Sequence, residues 1–247
     1  MALRITTLAE RPELAGAIWA MDNPWPEFML HDPMANLFYD VCESAYPEFV
    51  LVADDDADPG RLAARAFSVP FTWTREELPD GGWDGAILRA WHTRRTGGTP
   101  GRVTALEITV RTDLLGKGLS PTMLGALRDN AARLGFTEML APVRPNAKHL
   151  EPRTPMADYA ARTRPDGLPA DPWLRVHIRA GGGIVKVAPR SMTISGTLAE
   201  WREWTGLPFD ASGEIEVPKA LVPVHCDVGQ DHAVYVEPNI WVRHPLA

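Results

Sequence analysis

The stretch DLLGKGLSPTML, residues 113–124, sets two glycines and a lysine directly before Ser-Pro and a run of apolar helix formers. The residues on either side of it decide what it joins. Residues 103–110 (VTALEITV) alternate, so that Leu106, Ile108 and Val110 share one face, read as the core face, while Ala105, Glu107 and Thr109 share the other. Past the glycines, Ser120 is suited to cap a helix and Pro121 to its first position, where a missing N–H costs nothing. Met123, Leu124, Leu127, Ala131 and Leu134 then recur on one side until Gly135, a C-terminal stop. Residues 139–143 (MLAPV) supply the next strand. Strand, helix and strand in this order make a right-handed crossover between parallel strands.

Such a turn can hold phosphates, and spacing removes two of the ways it does so. A P-loop has Arg111 where its first glycine belongs, and Gly118 where Ser or Thr must follow the lysine. A dinucleotide fingerprint has Pro121 in place of its third glycine. What remains is a helix start whose first N–H groups are unpaired and carry the positive end of the helix dipole. The glycines let the backbone approach a bulky anion, and Lys117 adds a charge-assisted contact. An ordinary tight turn has the same composition, so an anion site and a plain connection stand equal on the pattern alone.

Working outward, residues 4–8 (RITTL) read as a first strand, and Pro12 opens a helical pattern carried by Leu14, Ile18 and Met21. Residues 34–44 read as a second helix with Leu37, Phe38 and Val41 inward. Residues 49–53 (FVLVA), the acidic cluster 54–58 and residues 61–69 read as an antiparallel hairpin. Residues 72–101 hold one short helix, 83–92, between flexible glycines, and read as an insertion or lid. Beyond Pro145 the Pro-rich residues 151–173 form an ordered loop with a short helix at 156–161. Strands are expected at 173–178, 184–187 and 221–226, a helix at 198–205 (LAEWREWT), and a terminal hairpin from 234–236 and 240–242. No internal repeat is present. The expectation is one domain over 1–247, with a core in 1–145 and a loop-rich C-terminal extension of the sheet in 146–247.

Composition narrows the function classes. A chain of 247 residues, 45% hydrophobic with 9 Trp, can fill a proper core. The net charge of -7 carries no long block of one sign, which argues against a nucleic-acid surface. Cys42 and Cys226 are the sole cysteines, too few for a disulfide framework or a four-ligand zinc site, and they fit a reducing compartment. No segment approaches the roughly 18 apolar residues of a membrane span. The expectations are a cytoplasmic location, no membrane or nucleic-acid partner, and no metal; the sequence cluster His225, Cys226, Asp227 and His232 alternates faces on a strand.

The run Leu115-Gly116-Lys117-Gly118-Leu119-Ser120, between a strand and a long helix, resembles the signature of the GCN5-related N-acetyltransferase family, Arg/Gln-x-x-Gly-x-Gly/Ala. Gly118 matches; Leu115 stands for the Arg or Gln, and Ser120 for the final small residue. The resemblance covers roughly the first 145 residues. It implies an α+β fold: a central mixed, mostly antiparallel sheet with a splayed parallel strand pair, flanked by helices, here with extra C-terminal strands. It implies acetyl-CoA as co-substrate, its pyrophosphate on the turn from Leu115 to Ser120 and its pantetheine arm along Ile108, Thr109 and Val110, with the Val110 N–H as oxyanion donor. Asn146 falls near the Asn that the family places beyond the second wedge strand. Glu107 resembles the glutamate that several members use as base, the ordinary alternative being a salt-bridged strand residue. Tyr159 is the weaker candidate for protonating the CoA thiolate, since the family spacing from Asn146 lands on Arg153. The implied reaction is direct attack by a small amine on the thioester, in a chain that forms a homodimer as many members do. The rival expectation is a non-catalytic acyl-CoA-binding protein on the same fold.

Overall fold

The structure is a computed structural model that describes residues 3–22, 24–55 and 58–246. In chain order its strands are β1 (Leu3–Thr7), β2 (Val50–Asp55), β3 (Asp58–Phe71), β4 (Arg102–Val110), β5 (Glu138–Val143), β6 (Gly183–Gly196), β7 (Gly213–Ile215), β8 (Val224–Asp227) and β9 (His232–Pro245). They form one sheet ordered β1-β2-β3-β4-β5-β9-β8-β7, with β6 paired along β9. Residues 56 and 57 of the acidic cluster lie outside the described residues. The helices are α1 (Ala15–Trp19), α2 (Pro33–Tyr39), α3 (Cys42–Ala45), α4 (Gly82–Arg95), α5 (Leu119–Arg133), α6 (Met156–Ala160), α7 (Pro172–Arg179) and α8 (Leu198–Thr205).

Pairing is antiparallel throughout except between β4 and β5, the mixed sheet expected from the sequence. That parallel register covers Val103↔Met139 and Thr104↔Leu140 and then stops. Past Thr104 the two strands part and leave a wedge. Each face of the sheet carries its own core. Ile18, Phe38, Phe67, Trp83, Ile87 and Trp201 pack on one side; Met123, Leu124, Leu127, Leu174 and Val242 pack on the other. The wedge therefore opens between a face covered by α1, α2 and α4 and a face covered by α5 and α7.

Four local expectations are corrected. Residues 83–92 belong to α4, which is no lid: Trp83, Ala86, Ile87 and Ala90 are buried. Its start lies tight on β6, where a Cβ at Gly82 (φ +43) would stand 2.1 Å from Ser191 Oγ, so glycine here serves close packing rather than flexibility. Residues 173–178 form α7 rather than a strand, because Asp171 accepts from the Trp173 and Leu174 N–H groups and Pro172 occupies the first position. Residues 234–242 lie in the single strand β9. Pro238 stays inside it because β6 bulges opposite, pairing Ala188 with Asn239 and Met192 with Glu237, so no ladder bond from Pro238 is required. Lastly, Ser120 is not the cap of α5: Gly118 takes that place in a left-handed conformation (φ 81), with Ser120 inside the first turn. Gly135 (φ 89) does end the helix, with N–H bonds from Gly135 and Phe136 back to Ala132 and Ala131.

The loop after β5 is ordered by a buried cation. Lys148 is fully buried, and its Nζ donates to the carbonyls of Glu151 (2.7 Å), Pro152 (3.2 Å) and Leu221 (2.7 Å). Lys148→Met is expected to cost about 1–3 kcal/mol, because three carbonyls lose their donor. A urea melt reads this as a lower midpoint; an unchanged midpoint would mean that water replaces the ammonium. No helix among the described residues is long and apolar enough to cross a membrane.

Candidate functional site

Two cavities meet at the wedge. The smaller, about 210 Å³, is lined by Val110, Leu115, Gly116, Gly118, Ser120 and Asn146 among others. The larger, about 890 Å³, reaches from Ser120 past Ile108 and Val143 to Trp19, Tyr39 and Trp83 on the opposite face of the sheet. Ser120, Asn146 and Trp173 line both, so the two form one passage through the sheet.

At the small end, Gly116 (φ 76) and Gly118 (φ 81) hold left-handed conformations, and a Cβ at either would meet nothing within 4 Å. The N-terminus of α5 has no side-chain cap. Its leading N–H groups thus face open space at the positive end of a 15-residue helix, which suits a diphosphate. The side chain of Lys117 is exposed and is not part of either wall. Leu115 is 60% exposed at the rim and offers apolar surface where the family signature has Arg or Gln.

The middle of the passage is shaped by a bulge in β4. Phe67 pairs with Glu107 and Ser68 with Ala105, which leaves Leu106 as the extra residue. Its carbonyl accepts from Trp83 Nε1 at 3.0 Å. Leu106 and Ile108, read as core from the alternation, are half-buried cavity walls, while Val110 is buried as expected. Glu107 lines the larger cavity and is buried. Arg65 Nε donates to its Oε1 at 3.2 Å, Thr109 Oγ1 donates to the same oxygen, and the Tyr39 hydroxyl donates to Oε2. Burial and the negative charge of Glu107 push the Tyr39 phenol well above its ordinary pKa, so it remains a donor. Glu107 is therefore the salt-bridged strand residue of the ordinary alternative and at the same time stands on the cavity wall.

Tyr159 is not brought to this passage. Its hydroxyl donates to Asp171 Oδ2 at 2.8 Å, it lines neither cavity, and burial with Asp171 pushes its pKa up. That bond ties α6 to the cap of α7. Trp173 and His177, one turn apart on α7, take the wall instead. His177 Nδ1 lies 2.9 Å from His244 Nε2, and burial lowers the two imidazoles to about 3 and about 4, so the pair is neutral at pH 7. Among the described residues no group of three or more His, Cys, Asp or Glu side chains is arranged to hold a metal ion.

Sequence reasoning missed Arg65, Tyr39 and a carboxyl pair at the starts of α2 and α4. Asp32 Oδ2 and Asp84 Oδ1 are buried without a hydrogen-bond partner among the described residues; burial raises both carboxyls, with the charge of Glu237 acting on Asp32 and that of Asp32 on Asp84, to about 6 and about 8. A carboxyl whose folded pKa exceeds its unfolded one stabilises the fold at low pH, and that contribution is lost as pH rises from 3.8 through the folded values. Asp84→Asn is expected to leave the melting temperature at pH 5 nearly unchanged and to raise it at pH 9, by roughly 2–4 °C per kcal/mol relieved. Melts at both pH values check this; a lower melting temperature at pH 9 would contradict the cost of ionising the buried Asp84 carboxyl.

Comparison with known proteins agrees with this geometry. No protein-family model matches the chain. The arginine N-acetyltransferase avaD of Aspergillus versicolor is 32% identical over 98% of this chain and 93% of its own. Among solved structures, the loading GNATL domain of CurA from Lyngbya majuscula superposes with a TM-score of 0.61 at 15% identity, covering 99% of this chain and 98% of that one. The GphF GNAT-like decarboxylase in complex with isobutyryl-CoA superposes with a TM-score of 0.56 at 16% identity over the whole of both chains. At such identity these two attest the fold, while the fungal relative attests the lineage. The splayed β4–β5 pair, the uncapped glycine turn before α5 and a full-length relative of this kind together make the chain an N-acetyltransferase and a member of the GCN5-related N-acetyltransferase family.

Proposed function

We propose that the chain transfers the acetyl group of acetyl-CoA to an amine of arginine or of a close analogue. The observation that carries the reading is the parting of β4 and β5 beyond Thr104 beside the uncapped turn at Gly118. Support for the acceptor comes from the fungal relative, whose name is that of an arginine N-acetyltransferase.

The backbone N–H groups from Lys117 to Ser120 bind the pyrophosphate. The edge of β4 over Ile108, Thr109 and Val110, unpaired with β5, holds the pantetheine arm and presents the Val110 N–H to the thioester oxygen. Asn146, on both walls, closes the passage beside it. The amine nitrogen attacks the thioester carbon, the C–S bond breaks, and the thiolate of CoA departs. A proton must leave the nitrogen, and Glu107 is the one carboxylate on the cavity wall among the described residues. Its oxygens already accept from Arg65, Thr109 and Tyr39, so the proton reaches it through a bridging water. Free, buried Cys42 and Cys226 support a cytoplasmic setting.

The test is turnover. Purified protein with acetyl-CoA and arginine should release thiol and give an acetylated product by mass spectrometry. Thiol release no faster than the blank across arginine, its analogues and simple diamines would leave a protein that binds acyl-CoA without catalysis.

A further inference from the structure

One end of the larger cavity is basic, in a chain whose net charge is -7. Arg144, His149 and Lys219 all line it, and none lines the smaller cavity at the glycine turn. Arg144 directly follows β5. Its Nε donates to both oxygens of the fully buried Glu237 at 3.1 and 2.9 Å, and Tyr235 and Asn239 hold that carboxylate from behind. Its Nη2 donates to the Lys219 carbonyl at 2.6 Å, and its guanidinium lies 5.7 Å from the Trp25 ring, on the side of the sheet away from α5. The backbone of Lys219 is left-handed (φ 71), a conformation that a side chain disfavours. The bond from Arg144 fastens the residue in that state. Among the described residues no carboxylate pairs with Lys219, so the charge of Arg144 is matched by Glu237 and that of Lys219 by nothing. His149 faces the same two cations, and burial together with their charge lowers its pKa. Across the cavity, Glu107 is already matched by Arg65. The wall thus carries, at the exposed Lys219, a positive charge with no carboxylate partner among the described residues.

We propose that Lys219, with Arg144 and His149, binds the free carboxylate of the acceptor, which makes the substrate an α-amino acid rather than a plain amine. The proposal rests on the acetyl-transfer reading above. It gives the acceptor two fixed ends, its carboxylate on this wall and its amine toward Glu107 and the Val110 N–H. Lys219 is then a specificity-determining residue. A phosphate of CoA is the other anion within the passage, and the experiment separates the two.

The variant is Lys219→Gly, since glycine adopts this backbone freely and folding is not put at risk. Arginine is compared with agmatine, the same molecule without its carboxylate, by calorimetric binding and by steady-state thiol release. The expected result is a loss of about tenfold or more in arginine affinity and a matching rise in its KM. The kcat stays within about twofold, agmatine and acetyl-CoA are unaffected, and Lys219→Arg restores most of the arginine affinity. Equal losses for arginine and agmatine would overturn the proposal, as would a parental protein that binds agmatine at least as well as arginine or binds neither. A loss confined to acetyl-CoA would assign the wall to a CoA phosphate and would also overturn it. Binding and thiol release are read separately. A carboxylate-dependent affinity without turnover would sink acetyl transfer to arginine and leave only the carboxylate-binding role of Lys219.

Discussion

Glu107→Gln is expected to lower kcat by about 10²-fold or more while acetyl-CoA binding is retained, the scale of a lost proton acceptor. The amine that attacks the thioester is mostly protonated at neutral pH, and its nitrogen must lose a proton to become an amide. On the cavity wall Glu107 is the carboxylate proposed to receive it. Gln keeps the shape, can still accept from Tyr39 or Thr109, and loses the charge. Two readouts are needed because the change also leaves Arg65 without its anion. Kinetics are measured well below the melting point of the variant, and acetyl-CoA affinity is measured in the same preparation. A parental rate from pH 6 to 9 would reduce Glu107 to a structural partner of Arg65.

The second large effect falls on stability. Arg65 and Glu107 expose 5% and 4% of their side chains, and the guanidinium also gives Nη1 to the Ile18 carbonyl at 2.6 Å. Arg65→Met removes the cation and keeps most of the stem, leaving a buried carboxylate with two neutral donors. Breaking a buried pair from one side costs about 3–5 kcal/mol, or roughly 6–20 °C in melting temperature for a chain of this size. The paired change Arg65→Met with Glu107→Gln should cost less than Arg65→Met alone, because no unmatched charge remains. Denaturant melts of the two single variants and the double variant measure the coupling. Strict additivity would mean that water reaches the pair and screens it.

The parts of the fold that were legible are those whose signals are local. The β4, turn and α5 unit rests on alternation, two glycines and a helical stripe that sit within about thirty residues, and the helix expected at 198–205 is present, its start closed by a Thr197–Glu200 capping box. Most of the differences arise where a distant partner overrides a local pattern. Alternation along β4 predicts the faces of Leu106 and Ile108 only if the strand is regular, and the bulge that shifts them is imposed by β3 and by Trp83. Pro238 reads as a turn unless the bulge in β6 is known. The Asp171-Pro172 cap was present in the sequence and was outweighed by the apolar residues after it. The glycine turn and Glu107, which line the passage, were singled out from the chain alone. Arg65, Tyr39, Arg144 and Lys219 were not, since each enters the cavity from a different segment and nothing near it in sequence marks it.

The most direct measurement is a calorimetric titration of acetyl-CoA into the parental protein and into Gly118→Trp. Gly118 stands at the start of α5 with open space where a side chain would project, so the indole meets no neighbour; at φ 81 it strains the turn, and the melt of the variant is therefore read beside its binding. Binding on the order of micromolar is expected for the parental protein, and its loss in a variant that still melts cooperatively. A folded parental protein that does not bind acetyl-CoA, or a variant that binds as well as the parent, would contradict it.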